Sequence, residues 1–165
     1  MQRVANELIA ASRSGAGSAT AFATAMRSNA DVPSIGLSAL GSYATSLPKT
    51  DRPAYFNGMV NWIARYIAKE AAVPKNKVQK AVMVGQSSEG ASTYVDSRVT
   101  MTNGSVYDVR WRLVKRGTVY KVLDAEISNL PFGMGSASLA LQTFFEKYIS
   151  ENGGNPKALV VALNR

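Results

Sequence analysis

Residues 94–113, YVDSRVTMTNGSVYDVRWRL, hold the pattern that decides the fold. Val95, Ser97, Val99 and Met101 alternate with Tyr94, Asp96, Arg98, Thr100 and Thr102. Beyond Asn103-Gly104, Tyr107, Val109, Trp111 and Leu113 take one side of a second run, and Asp108, Arg110 and Arg112 take the other. A two-residue period of this kind marks strands with one apolar and one wet face. Asn-Gly between two such runs predicts a hairpin with a two-residue loop. Working outward, Val78, Val82 and Val84 suggest a preceding strand, and Arg116-Gly117 turns the chain into another over Val119 to Ile127. Residues 78–128 thus read as a meander of about four antiparallel strands.

Both flanks carry the 3.6-residue period of helices. Within residues 1–72, Val4, Leu8, Ile9 and Ala11 predict a first helix, ended by the Gly/Ser run at 14–18. A second runs from Ala19 to Arg27, and Asp31-Val32-Pro33 starts a third with a capping aspartate and a proline in the first turn. Thr50 or Asp51 caps the strongest helix, Pro53 to Ala71. Its stripe of Phe56, Val60, Ile63 and Ile67 is widened by Tyr55, Met59, Trp62 and Tyr66, so it is buried on more than one side. Helices return within 138–163: Ser138 to Ser150, stopped by Gly153-Gly154, then a short one opened by Asn155-Pro156. Gly133-Met134-Gly135 reads as a turn and lacks phosphate-loop spacing. With no repeat and no linker, residues 1–165 are expected to form a single α+β domain, helices packed on one face of a curved antiparallel sheet.

Composition removes most catalytic chemistries. The 165 residues contain no cysteine and no histidine. Thiolate nucleophiles, serine–histidine triads, imidazole bases and ordinary zinc sites are therefore excluded, and no metal or cofactor is expected. Tyrosines near Asp108, Asp124 and Glu126 leave an isomerase- or hydratase-type pocket as an alternative, although surface or hydrogen-bonding carboxylates are the plainer reading. The net charge of +8 attracts polyanions. Arg98, Arg110, Arg112, Lys115 and Arg116 form a basic stripe on the wet sheet face. Tyr107 and Trp111 lie on the opposite face, which argues against a single-strand nucleic-acid platform. No run approaches the roughly 18 apolar residues of a membrane span, and polar residues interrupt the opening segment. The chain reads either as cytoplasmic or as a mature segment whose signal has been removed.

One surplus is left over. Phe56, Met59, Val60 and Ile63 on a helix, Val99, Met101, Val109, Trp111, Leu113 and Ile127 on the sheet, and Phe144 and Phe145 on a late helix all point to one interior. A packed core and an open cavity for an apolar ligand are both compatible with that composition.

The order of motifs resembles the MlaC/toluene-tolerance family across essentially the whole chain. The resemblance rests on Ala30-Asp31-Val32-Pro33-Ser34-Ile35-Gly36-Leu37, on Leu40-Gly41-Ser42-Tyr43, and on Leu47-Pro48 to Arg52-Pro53-Ala54-Tyr55-Phe56. It continues through Tyr107 to Trp111 and Val119 to Ala125, and closes from Phe144-Phe145 through Asn152-Gly153-Gly154 to Leu163. Ala44 and Asn129-Leu130-Pro131 depart from the family pattern. The resemblance implies a nuclear-transport-factor-like fold enclosing an apolar cavity for phospholipid acyl chains, with the twelve apolar residues above as its lining. It implies a periplasmic, monomeric carrier whose presumed signal peptide has been removed. Its partners would be an inner-membrane ABC transporter with an MCE-domain component and an outer-membrane lipoprotein complex. Under this reading the basic stripe serves docking and transient membrane contact, no covalent step is needed, and no nucleic acid is bound.

Overall fold

The computed structural model describes residues 18–72, 77–130 and 133–165. In it the alternating segment belongs to a meander of β1 (Val78–Glu89), β2 (Ser92–Met101), β3 (Val106–Arg116) and β4 (Val119–Leu130), followed by β5 (Gly133–Ser136). The five strands form one sheet in the order β1-β2-β3-β4-β5, each neighbour antiparallel. Register shifts interrupt β1 between Val78 and Lys80 and between Met83 and Gly85. Another shift follows Arg112 in the β3–β4 pairing.

Two sequence expectations change here. The Asn103-Gly104 hairpin has a three-residue loop, because Met101 N donates to Ser105 O at 2.8 Å and Gly104 N donates to Met101 O at 3.0 Å. Gly104 closes it at φ +84°, a left-handed conformation that suits glycine. Gly133-Met134-Gly135 is not a turn but most of a fifth strand, with Ile127 opposite Gly135 and Glu126 opposite Ser136. Its glycines carry no side chain from which alternation can be read. The ladder offered by β4 determines the conformation instead.

The described helices are α1 (Ser18–Asn29), α2 (Val32–Ala39), α3 (Arg52–Ala71), α4 (Ala137–Glu151) and α5 (Pro156–Leu163), with short 3-10 turns at Gly41–Tyr43 and Lys49–Asp51. The helix expected from Val4 to Ser12 lies outside the described residues. Asp31 caps α2 by accepting from Ser34 N at 3.2 Å. Ser136 caps α4 through Leu139 N at 3.1 Å, and Asn155 caps α5 through Lys157 N at 3.0 Å. Asp51 occupies the cap position of α3 but makes no side-chain cap bond. Gly154 N donates back to Ile149 O at 2.9 Å, terminating α4. Between α2 and α3, Gly41 adopts φ +50°, and the next residue, Ser42, donates its N–H to Glu146 Oε1 of α4 at 2.9 Å.

The helices build a core among themselves. Tyr55, Met59 and Val60 of α3 pack with Leu40, Leu47, Phe145, Ile149 and Leu159 in one buried cluster. Tyr55 stacks obliquely on Phe56 and edge-on to Phe145, and its hydroxyl donates to Gly36 O at 2.8 Å. Burial pushes the Tyr55 phenol well above its ordinary pKa, so it stays a donor. An aromatic column of Tyr66, Trp62 and Phe144 continues along the α3–α4 contact with ring centroids 6.0 and 5.3 Å apart.

Candidate functional site

Strand alternation and cross-strand pairing place Val95, Ser97, Val99, Val109, Trp111, Ala125 and Ile127 on one face of the sheet. Val95, Ser97, Val109 and Leu113 are buried there, and Val99, Met101, Trp111 and Ile127 are half-buried. None of these sheet residues belongs to the helical core cluster among the described residues. The apolar positions foreseen as one interior therefore fall into two groups. Met59, Val60 and Phe145 sit inside the helical core, with Phe56 and Ile63 packed against it. The six sheet residues lie outside that cluster. Phe144 is 50% exposed and turns to Trp62 at the surface.

The one polar side chain at the centre of the inner sheet face is satisfied internally. Trp111 Nε1 donates to Ser97 Oγ at 2.9 Å, and Ser97 Oγ donates to Val109 O at 3.3 Å. That chain fixes the indole and leaves its ring as apolar surface. Ser97 was legible in the sequence as an in-phase position between Val95 and Val99, but its link to Trp111 was not.

The helices are tied to the sheet mainly along β4 and β5. Asp31 N donates to Val122 O at 2.9 Å, Lys121 Nζ donates to Ser28 O at 2.5 Å, and Ala30 bridges Val122 in parallel. Asp124 accepts from Ser136 Oγ at 2.8 Å, from Ser138 N at 2.9 Å and from Ala125 N at 2.8 Å, joining β4 to the start of α4. At the far edge, Met83 of β1 faces the same way as Ser97 yet is 48% exposed, and Val84 beside it is 55% exposed. Contacts between helices and sheet are thus concentrated at β4 and β5, while the β1 edge carries exposed apolar side chains.

Two of the three carboxylates considered for acid–base work are otherwise engaged. Asp124 spends its lone pairs on the β4–α4 joint, Asp108 pairs with Arg98 at 2.7 Å, and Glu126 stands opposite Arg110 on the outer face. The basic stripe is partly neutralised as well. Arg110 meets Asp96 at 3.3 Å and lies over the Tyr94 ring at 4.9 Å, while Arg116 meets Asp31 at 2.6 Å. Arg112 and Lys115 form no ion pair among the described residues. Lys115 corrects the stripe: alternation puts it on the side of Trp111 and Leu113, opposite Tyr120, at the exposed end of β3. Burial works to raise the Asp31 carboxyl, but the Arg116 and Ser34 hydrogen bonds outweigh it and hold the group below its ordinary value.

No cluster of carboxylates suited to a metal ion occurs among the described residues, and no described helix is long and apolar enough to cross a membrane. No curated protein sequence matches the chain. Among solved structures, the fold is similar to a phospholipid-binding protein from Ralstonia solanacearum, determined in complex with a phospholipid. The superposition has a TM-score of 0.76 at 19% identity and covers 99% of this chain and 92% of that one. The MlaC protein family matches residues 2–155, so the chain belongs to the MlaC family.

Proposed function

We propose that this protein is a phospholipid carrier that holds acyl chains between the helices and the inner sheet face. The observation that carries the reading is the separation of its apolar residues into a helical core complete in itself and a sheet face outside it. A ligand lying between them would have Val99, Val109, Trp111, Leu113 and Ile127 beneath it and Phe56 and Ile63 above. Two acyl chains contain roughly 30 methylenes at ~0.8 kcal/mol each, so exposing them to water costs on the order of 24 kcal/mol. A carrier must approach the apolarity of a bilayer without exceeding it by much, or cargo would not leave. No bond is made or broken, which suits a chain without histidine or cysteine.

In this reading the protein works in the periplasm as a monomer. It passes lipid between an outer-membrane lipoprotein complex and an inner-membrane ABC transporter with its MCE-domain component, and so maintains the lipid asymmetry of the outer membrane. Arg112 is the member of the outer basic stripe best placed for docking, because no carboxylate neutralises it. Native mass spectrometry of the freshly purified chain, followed by solvent extraction, tests the reading. An adduct of phospholipid mass is expected. A bare mass that stays bare after incubation with liposomes overturns it.

A further inference from the structure

A cavity of about 240 Å³ lies between α1 and α3, lined by Ala19, Thr20, Ala23, Arg27, Asn61, Ala64 and Arg65. Asn61, Ala64 and Arg65 lie on a different stripe of α3 from Phe56, Ile63 and Ile67. Three alanines leave the room. Arg27 and Arg65 border it with Asn61 and Thr20, and no carboxylate lines it among the described residues.

The two arginines differ from those of the sheet. Arg98, Arg110 and Arg116 each have an acidic partner. Arg27 and Arg65 have none among the described residues. One amino group of Arg27 donates to Asn57 Oδ1 at 2.6 Å and to Asn61 Oδ1 at 2.8 Å. That anchors the group while its remaining N–H donors have no acceptor among the described residues. Among the described residues Arg65 is held by one 3.3 Å bond, to Leu163 O, the carbonyl near the end of α5. Both side chains are exposed and border the same hollow, so their positive fields add there. Planar guanidinium forks match the oxygens of a tetrahedral oxyanion.

We propose that this cavity is an oxyanion site that takes a phosphate group, either of a lipid headgroup or of free phosphate. Sites for drug-sized ligands occupy about 300–1,000 Å³; this smaller, open one has room for the phosphate group itself and leaves anything attached to it outside. The proposal does not depend on the carrier reading, since the sheet face plays no part in it.

The test titrates the full chain with sodium phosphate at constant ionic strength by isothermal calorimetry, as purified and after incubation with phosphatidylglycerol vesicles. Saturable binding is expected, weakened about tenfold or more in Arg65→Gln. Arg27→Lys, which keeps the charge and loses the fork, is expected to weaken it less. Circular dichroism confirms the fold of each variant, and either variant alone suffices if the other fails to fold. Equal binding before and after vesicle treatment identifies free phosphate as the occupant, and binding blocked by the vesicles identifies the lipid headgroup; both support the site. Absence of saturable binding, or binding unchanged in both variants, overturns it. Phosphate binding by a chain that acquires no lipid would leave the site standing and remove the carrier reading.

Discussion

Trp111 on β3 and Ser97 on β2 are joined by a hydrogen bond of 2.9 Å across the strand pair, and Ser97 is itself buried. The serine therefore lets an indole N–H lie within an apolar face. Ser97→Ala strips Trp111 of its acceptor, at about 1–3 kcal/mol, which thermal denaturation reads as a fall of several degrees in Tm. The Trp111 emission is expected to change with it, most clearly in a Trp62→Phe background. An unaltered Tm would mean that the indole finds another acceptor.

Val109 lies at the middle of the inner sheet face and is nearly fully buried. Val109→Glu places a charge where acyl chains are proposed to rest, so co-purified phospholipid should be lost while the circular dichroism spectrum is kept. Val99→Glu, at a half-buried position, provides the same test with less risk to folding. Unchanged lipid in a folded variant of either kind removes that residue from the lining.

Asp31 joins α2 to the β3–β4 turn through Arg116. Its carboxyl is held below the ordinary value of 3.8, so the ion pair stabilises the fold above that pH and ceases to do so as pH falls through the lower folded-state value. Asp31→Asn keeps a capping side chain and removes the charge. Its cost, on the order of 1 kcal/mol near neutrality, should shrink below about pH 4. Urea denaturation across pH checks this. A cost that persists undiminished at about pH 2 would assign the effect to capping or packing alone.

Asp124 offers a test of the enzymatic alternative. Its bonds to Ser136 and Ser138 fasten the start of α4 to β4. Asp124→Ala should cost about 1–3 kcal/mol and speed amide exchange in β5 and the first turn of α4. Isomerase or hydratase turnover by the wild type that vanishes in this variant would restore a catalytic role.

Arg112 and Arg98 provide a matched pair of charge reversals on the outer face. Arg98 is neutralised by Asp108, and Arg112 has no ion pair among the described residues. Lipid transfer between anionic liposomes should slow more in Arg112→Glu than in Arg98→Glu, with the difference fading at high salt. Rates indifferent to both substitutions would remove the stripe from docking.

Local chemistry made much of this fold legible. Asp31 before Val32-Pro33, Asn155 before Pro156, and the alternation from Tyr107 to Leu113 each act within a few residues, and each took the expected form. What could not be read depends on distant partners. β5 exists because β4 lies beside it, and Asp31 finds Arg116 85 positions away. The candidate site shares this limit. Apolar periodicity found Phe145 and Val109 equally well, but it carries no information on which belongs to the helical core and which to the sheet face.

The interrupted register of β1 has a bearing on solubility. β1 is an edge strand of twelve residues with apolar side chains at its surface, a combination that invites pairing between molecules. A second copy docking there would need a long, even row of free N–H and C=O groups. The breaks at Val78/Lys80 and Met83/Gly85 divide that row into short pieces that no straight strand can match, and Lys80 adds a charge between them. The protein can thus keep an apolar rim exposed without that rim becoming a template for fibres.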